Sequence, residues 1–267
     1  SLIIDYTDGF VPHRAEPLFS KTARPQNHYV RLDKIPLNPF RPQLQVIDPE
    51  RDPVPESSYE VADRIASIFT SVFTMIGDQQ RAALVRAIEA GIESNPDFRL
   101  DHIVEQLRQE GPNGESLANK IEPLVKSKPF KENQESAWGS LLVTPDQWVQ
   151  ILQLTGMSND TQQMVTEFVL WDLWNYVLNT GSKDRPIPIV LDEIQNLDHN
   201  KGSPVDKMLR EGRKFGLALM LATQTMSRFN KDERDRLFLA AHKLYFKPSD
   251  GETGEYAQLL YESTGEP

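Results

Sequence analysis

The chain opens on an apolar run, Leu2-Ile3-Ile4, closed by Asp5, which predicts a short buried strand with a carboxylate at its carboxyl end. A second strand is predicted over 27–35. Pro36, Pro39, Pro42, Pro49, Pro53 and Pro55 follow, too many for a helix or a central strand, so this stretch reads as a linker or a wall loop. After Ser57-Ser58, apolar residues recur at Val61, Ile65, Ile68, Phe69, Val72 and Ile76, the stripe of an amphipathic helix. Similar stripes run through 82–92 (Leu84, Val85, Ile88, Ile92), 101–109 (Ile103, Val104, Leu107) and 117–125 (Leu117, Ile121, Leu124, Val125). Residues 56–138 are therefore expected to form an all-helical insertion.

Strand character returns over 148–154, where Gly156 ends it and Asp160 can cap a long helix reaching Asn179. Met164, Val165, Phe168, Trp171, Leu173 and Trp174 wrap that helix in a wide apolar band, which implies burial on more than one side. Beyond Gly181 the pattern alternates: strand 187–191, helix 204–214, strand 217–222, helix 231–240, strand 243–247, helix 254–262. Apolar strands separated by helices predict an α/β fold, a mainly parallel sheet with helices on both faces. The expected organisation is a first core part at 1–55, the insertion at 56–138 and a second core part at 139–267. Ligands of such sheets sit at the carboxyl ends of the strands.

Composition narrows the class. The longest apolar run, Leu217 to Ala222, falls far short of the roughly 20 residues that cross a bilayer, and no signal segment opens the chain, so no membrane partner is expected. The absence of cysteine removes disulfides, thiolate nucleophiles and zinc-thiolate sites, and the five histidines lack metal-binding spacing. A reducing, cytoplasmic setting fits. The first residue is Ser1 rather than methionine, and the chain reads as a piece of something longer. The net charge of −10 argues against a surface built throughout to coat nucleic acid. Residues 185–247 nevertheless carry +4 against −14 for the remainder, so the last third has its own basic balance.

The most informative string is Ile187-Pro188-Ile189-Val190-Leu191-Asp192-Glu193. A buried strand ending in two adjacent acids puts carboxylates where a phosphate and its magnesium would lie. Phosphoryl chemistry uses one acid for the Mg2+ shell and a second to orient or deprotonate the attacking water. Asp192 suits the first role and Glu193 the second; the plain alternative is an acidic cap on the following turn. The strand 217–222 ends in Thr223-Gln224, and Gln224 could hydrogen-bond a γ-phosphate or its attacking water, or simply open a surface loop. Between these strands, Leu209-Arg210-Glu211-Gly212-Arg213-Lys214 offers Arg210 and Arg213, whose charged forks suit phosphate, or equally the carboxyl end of a helix.

Ile189 to Leu197 and Leu209 to Gln224 resemble the Walker B, arginine-bearing and sensor-glutamine segments of HerA/FtsK-type P-loop ATPases, which are hexameric DNA pumps, and of their conjugation-ATPase relatives. Leu2 to Asp5 and Asn38 to Pro42 are similar to the strand after the P-loop helix and to the segment before the helical insertion. A nearer likeness is the DptH-type ATPase of DNA phosphorothioation-dependent restriction. The resemblance implies a RecA-like core using ATP and Mg2+. It implies Asp192 for magnesium, Asp5 beside the nucleotide, Glu193 as catalytic base, Gln224 as sensor, and Arg210 or Arg213 as a finger acting on a neighbouring subunit. It also implies a hexameric ring as the homo-oligomer, salt-sensitive binding of DNA, and restriction-system partners such as a nuclease.

One departure is plain. The phosphate cradle G-x-x-x-x-G-K-[ST] is absent from all 267 residues, as is any Gly-Lys pair. The expectation is that the cradle lies upstream of Ser1 and that this chain hydrolyses nothing alone. A nucleotide-free scaffold with the same sheet is the alternative. A metal-dependent nuclease fits less well, because no E-x-K-like string follows the acids.

Overall fold

A computed structural model describes residues 1–48, 50–73, 75–131, 138, 142, 149–246, 251 and 253–264. It divides into two units, Ser1–Thr223 and Gln224–Pro267.

The first unit is built on a five-stranded sheet in the order β2-β5-β1-β6-β7. The strands are β1 (Leu2–Asp5), β2 (Pro25–Tyr29), β5 (Val149–Gln153), β6 (Ile187–Leu191) and β7 (Leu217–Leu221), and every pairing is parallel. β1 is central and all four of its residues are buried, as a strand covered on both faces must be. A small antiparallel hairpin, β3 (Leu44–Gln45) with β4 (Val54–Pro55), occupies the proline-rich stretch. Prolines are tolerated there because no central ladder needs their missing N–H.

The helices are α1 (Pro17–Ala23), a single turn α2 (Val30–Asp33), α3 (Ser58–Val72), α4 (Asp78–Ser94), α5 (Leu100–Gln109), α6 (Gly111–Val125), α7 (Asn159–Thr180) and α8 (Pro204–Glu211). The strand expected over 27–35 is thus shorter: it starts at Pro25, and after Tyr29 the chain turns into α2. Of the stretch expected to be an all-helical insertion, the described residues form α3 to α6. Ser57 and Glu60 form a capping box that starts α3, each side chain taking the other residue's backbone N–H. Val61, Ile65, Ile68 and Phe69 face inward with Leu84 and Ile88 of α4, Ile103 and Leu107 of α5, and Leu117 and Ile121 of α6, all buried. Gly91 permits the approach of Phe98, for a Cβ there would lie 2.2 Å from the ring.

α7 joins insertion to sheet. Its buried side includes Met164, Val165, Phe168, Val169, Leu173 and Trp174, and Phe168 meets Phe69 of α3 and Phe130 edge to face. The wide apolar band reflects this double contact. Between α8 and β7 the chain tightens into a 3-10 turn, Gly212–Phe215, closed by Gly216 in the left-handed region (φ 80). The helix expected over 204–214 therefore changes geometry after Glu211. Right-handed crossovers place α1 on one face of the sheet and α7 and α8 on the other, because β1 to β2 and β5 to β6 to β7 travel in opposite directions. The face shared by Pro188 and Val190 of β6 and Ala218 and Met220 of β7, which pair in register, is left comparatively open, with Met220 64% exposed.

The second unit contains α9 (Lys231–Leu237) and α10 (Thr253–Thr264). An Asn230–Glu233 capping box begins α9, and Met226, Phe229 and Leu237 are buried. Residues 243–246 of the strand expected over 243–247 form no strand, and position 247 lies outside the described residues. Leu244 and Phe246 are both 84% exposed, so the alternating pattern is present but no ladder partner is, among the described residues. The first position of the strand expected over 148–154 and most of 132–148 also lie outside the description.

Candidate active site

β6 delivers the two acids to the lip of the sheet, and the ladder continues past its last residue. The Ala222 N–H donates to the Leu191 carbonyl at 2.9 Å, and the Ile194 N–H to the Ala222 carbonyl at 3.1 Å. Asp192 and Glu193 are therefore held across the tip of β7. Asp192 accepts the Glu193 N–H at 2.9 Å, and Glu193 itself occupies the left-handed region (φ 51, ψ 40). A non-glycine residue pays strain for that conformation, and such positions cluster where a side chain must be aimed. A short 3-10 turn, Ile194–Asn196, follows at once.

The Glu193 carboxylate accepts a hydrogen bond from the Gln195 side-chain amide, and the Gln195 carbonyl oxygen accepts one from the Thr223 hydroxyl at 2.7 Å. Behind this turn, His199 is buried with Nε2 2.6 Å from the Ile194 carbonyl oxygen. A carbonyl can only accept, so Nε2 is the protonated nitrogen. Glu167 of α7, fully buried, accepts the Asp198 N–H at 2.7 Å, and burial pushes its carboxyl up from the usual 4.5 to about 8. The lip is thus anchored to the helix layer beneath it.

Asp5 ends β1 one strand away, level with Asp192 because Ile4 pairs with Leu191. Its oxygens accept from the Thr7 N–H and hydroxyl (3.0 Å each), the Phe10 N–H (3.1 Å) and the Gln153 amide (2.8 Å). Asp5 is wholly buried and shapes the turn after β1. It acts on the lip through its field: the Asp192 carboxyl is raised above the ordinary range first by burial, then by the neighbouring charges of Glu193 and Asp5. A half-buried acid crowded by two others suits a divalent cation, with Asp192 as the direct or water-mediated ligand. Among the described residues no group of three His, Cys, Asp or Glu side chains forms a metal cage, so phosphate and water oxygens would complete the shell. For nucleotide phosphates the fit is partial: these residues make one wall, and the 267 residues hold no glycine-rich cradle.

The arginines lie elsewhere. Arg210, on α8, donates through Nε to the buried Asp206 at 2.7 Å, and Arg213 is exposed in the following turn. Both precede β7, whose five residues then run roughly 13 Å before reaching the lip. The structure therefore brings together Asp5, Asp192 and Glu193 at the lip, whereas Arg210, paired with Asp206, and Arg213 lie on the segment that leads into the start of β7. Gln224 begins the second unit, directly after Thr223. Sequence reading missed Gln195 and Thr223. The available signal was a polar residue two places after Glu193 and a hydroxyl at the end of the neighbouring strand.

No protein-family model matches the sequence, and neither does any curated protein. Among solved structures, VirB4 of Thermoanaerobacter pseudethanolicus aligns over 99% of this chain and 74% of its own, with a TM-score of 0.66 at 16% identity. The chain has a RecA-like P-loop NTPase fold. The plasmid coupling protein TrwB, in complex with the non-hydrolysable GTP analogue GDPNP, aligns over 85% of this chain and 64% of its own at 14% identity, with a TM-score of 0.44. On this fold the carboxyl ends of the strands are the ligand side, which is where β6 places its acids.

Proposed function

We propose that the chain is part of a HerA/FtsK-like ATPase that couples ATP hydrolysis to DNA movement. The observation that carries this reading is the acidic lip: Asp192 and Glu193 at the tip of β6, locked to the tip of β7 and crowded by Asp5. Asp192 would hold Mg2+, which when bound neutralises the phosphates. Glu193, aimed by its strained backbone, would take the proton from the attacking water. Gln224 would sense the γ-phosphate. Arg210 or Arg213, remote from the lip of its own subunit, would serve the lip of a neighbour in a hexameric ring.

The phosphate cradle would come from a further strand and helix of the same protein. Among the described residues no strand pairs with the outer edge of β7, and Met220 and Ala218 beside it are exposed, which supports this, since a run as apolar as Leu217-Ala218-Leu219-Met220-Leu221 belongs inside a sheet. A strand added at that edge and leading into β1 would be followed by a helix on the open face, given right-handed crossover. By sequence likeness to DptH-type proteins, the proposed setting is phosphorothioation-dependent restriction, with a nuclease among the partners. The competing reading, a nucleotide-free scaffold, draws on the missing glycine-rich loop.

The test compares the 267-residue chain with the longer protein it belongs to. ATP hydrolysis stimulated by DNA is expected of the longer protein and none of the chain alone. A longer protein that neither binds nor hydrolyses ATP supports the scaffold.

A further inference from the structure

We propose that Gln195 and Thr223 are positioning residues that hold the Glu193 carboxylate in one orientation and couple it to the tip of β7. The inference rests on the reading of Glu193 as the base. A glutamate side chain has three rotatable bonds, and a base that swings through them is poorly placed for any single water. Here the Gln195 amide donates to one carboxylate oxygen of Glu193. An amide can face a carboxylate with its nitrogen, which attracts, or with its oxygen, which repels. The Glu193 carboxylate, which only accepts, selects the nitrogen, and the Gln195 oxygen left on the other side is held by the Thr223 hydroxyl, which donates to it at 2.7 Å.

Thr223 directly follows Ala222, whose backbone pairs on both sides with the Leu191–Ile194 segment. A shift of the β7 tip, or a ligand oxygen that captures the Thr223 hydroxyl, therefore reaches Glu193 through two hydrogen bonds. Gln195 is fixed in turn by the 3-10 turn that His199 secures from behind. The arrangement makes the orientation of Glu193 responsive to what occupies the neighbouring strand end.

Two substitutions at Thr223 separate this role from packing. Thr223→Val keeps the shape and removes the donor, whereas Thr223→Ser keeps the donor and removes the methyl. In the 267-residue chain, hydrogen exchange of the Gln195 side-chain amide, read by NMR, is expected to speed about fivefold in Thr223→Val and stay near wild type in Thr223→Ser. Thr223→Ala, which leaves space rather than bulk, is expected to match Thr223→Val. In the longer protein, Thr223→Val is expected to lower kcat about tenfold at unchanged KM for ATP, with Thr223→Ser restoring it. Unchanged Gln195 resonances and exchange in both Thr223→Val and Thr223→Ala would overturn the relay. The amide measurement needs no hydrolysis, so it judges the relay even if Glu193 proves not to be the base.

Discussion

Glu167 shows how much one buried side chain underwrites the lip. It accepts the Asp198 N–H from within the apolar layer of α7, and its carboxyl rises to about 8. Because its folded pKa lies above the unfolded value, the folded chain keeps a proton that the unfolded chain releases between about pH 4.5 and 8. Stability from this group therefore falls as pH rises through that window. Glu167→Gln keeps the acceptor for Asp198 and removes the titration. Thermal melts are expected to show the variant gaining several degrees on the wild type at pH 8 and little at pH 5. An equal difference at both pH values would show that Glu167 does not titrate in the folded chain. Nothing in the sequence marks Glu167 apart from the other acids. Its character comes from a burial that only the packing of α7 reveals, whereas Asp192 and Glu193 were readable because they follow an apolar run.

Among the elements, the junction of the proline-rich segment with α3 concentrates one interaction. Arg64 forms a two-pronged ion pair with Glu56 through Nε and Nη2, at 2.8 to 3.2 Å, and also donates to the Pro39 and Arg41 carbonyls. Both side chains are under 9% exposed, so solvent screens the pair little. Arg64→Leu strands the Glu56 charge and leaves those carbonyls unmet, a loss of about 3–5 kcal/mol. The double variant with Glu56→Leu is expected to recover part of that in urea unfolding. A single variant costing under about 1 kcal/mol would contradict a buried pair. The existence of α3 to α6 was readable, since four amphipathic stripes fell at helical spacing. α1 escaped notice because its seven residues include none that is buried, leaving no stripe to read. The strand expected over 243–247 shows the opposite failure: a two-residue period marks strand capacity, and a ladder partner realises it.

Over the whole molecule, the parallel sheet and its helix layers followed from the order of apolar strands and periodic helices. Strand order did not, because local pattern carries no record of which strands become neighbours. That order matters for function: it sets β1 beside β6 and β7 beyond it, so the carboxylates of two strand ends and the hydroxyl at a third share one lip. The remote arginines likewise became distinguishable from the lip only through the fold. Glu193→Gln in the longer protein that the proposed function calls for is the most direct measurement, since it preserves size and hydrogen bonding while removing the carboxylate proposed as base. The account predicts that ATP turnover falls by at least about a hundredfold while nucleotide binding persists at near wild-type affinity. Turnover at the wild-type rate would contradict it.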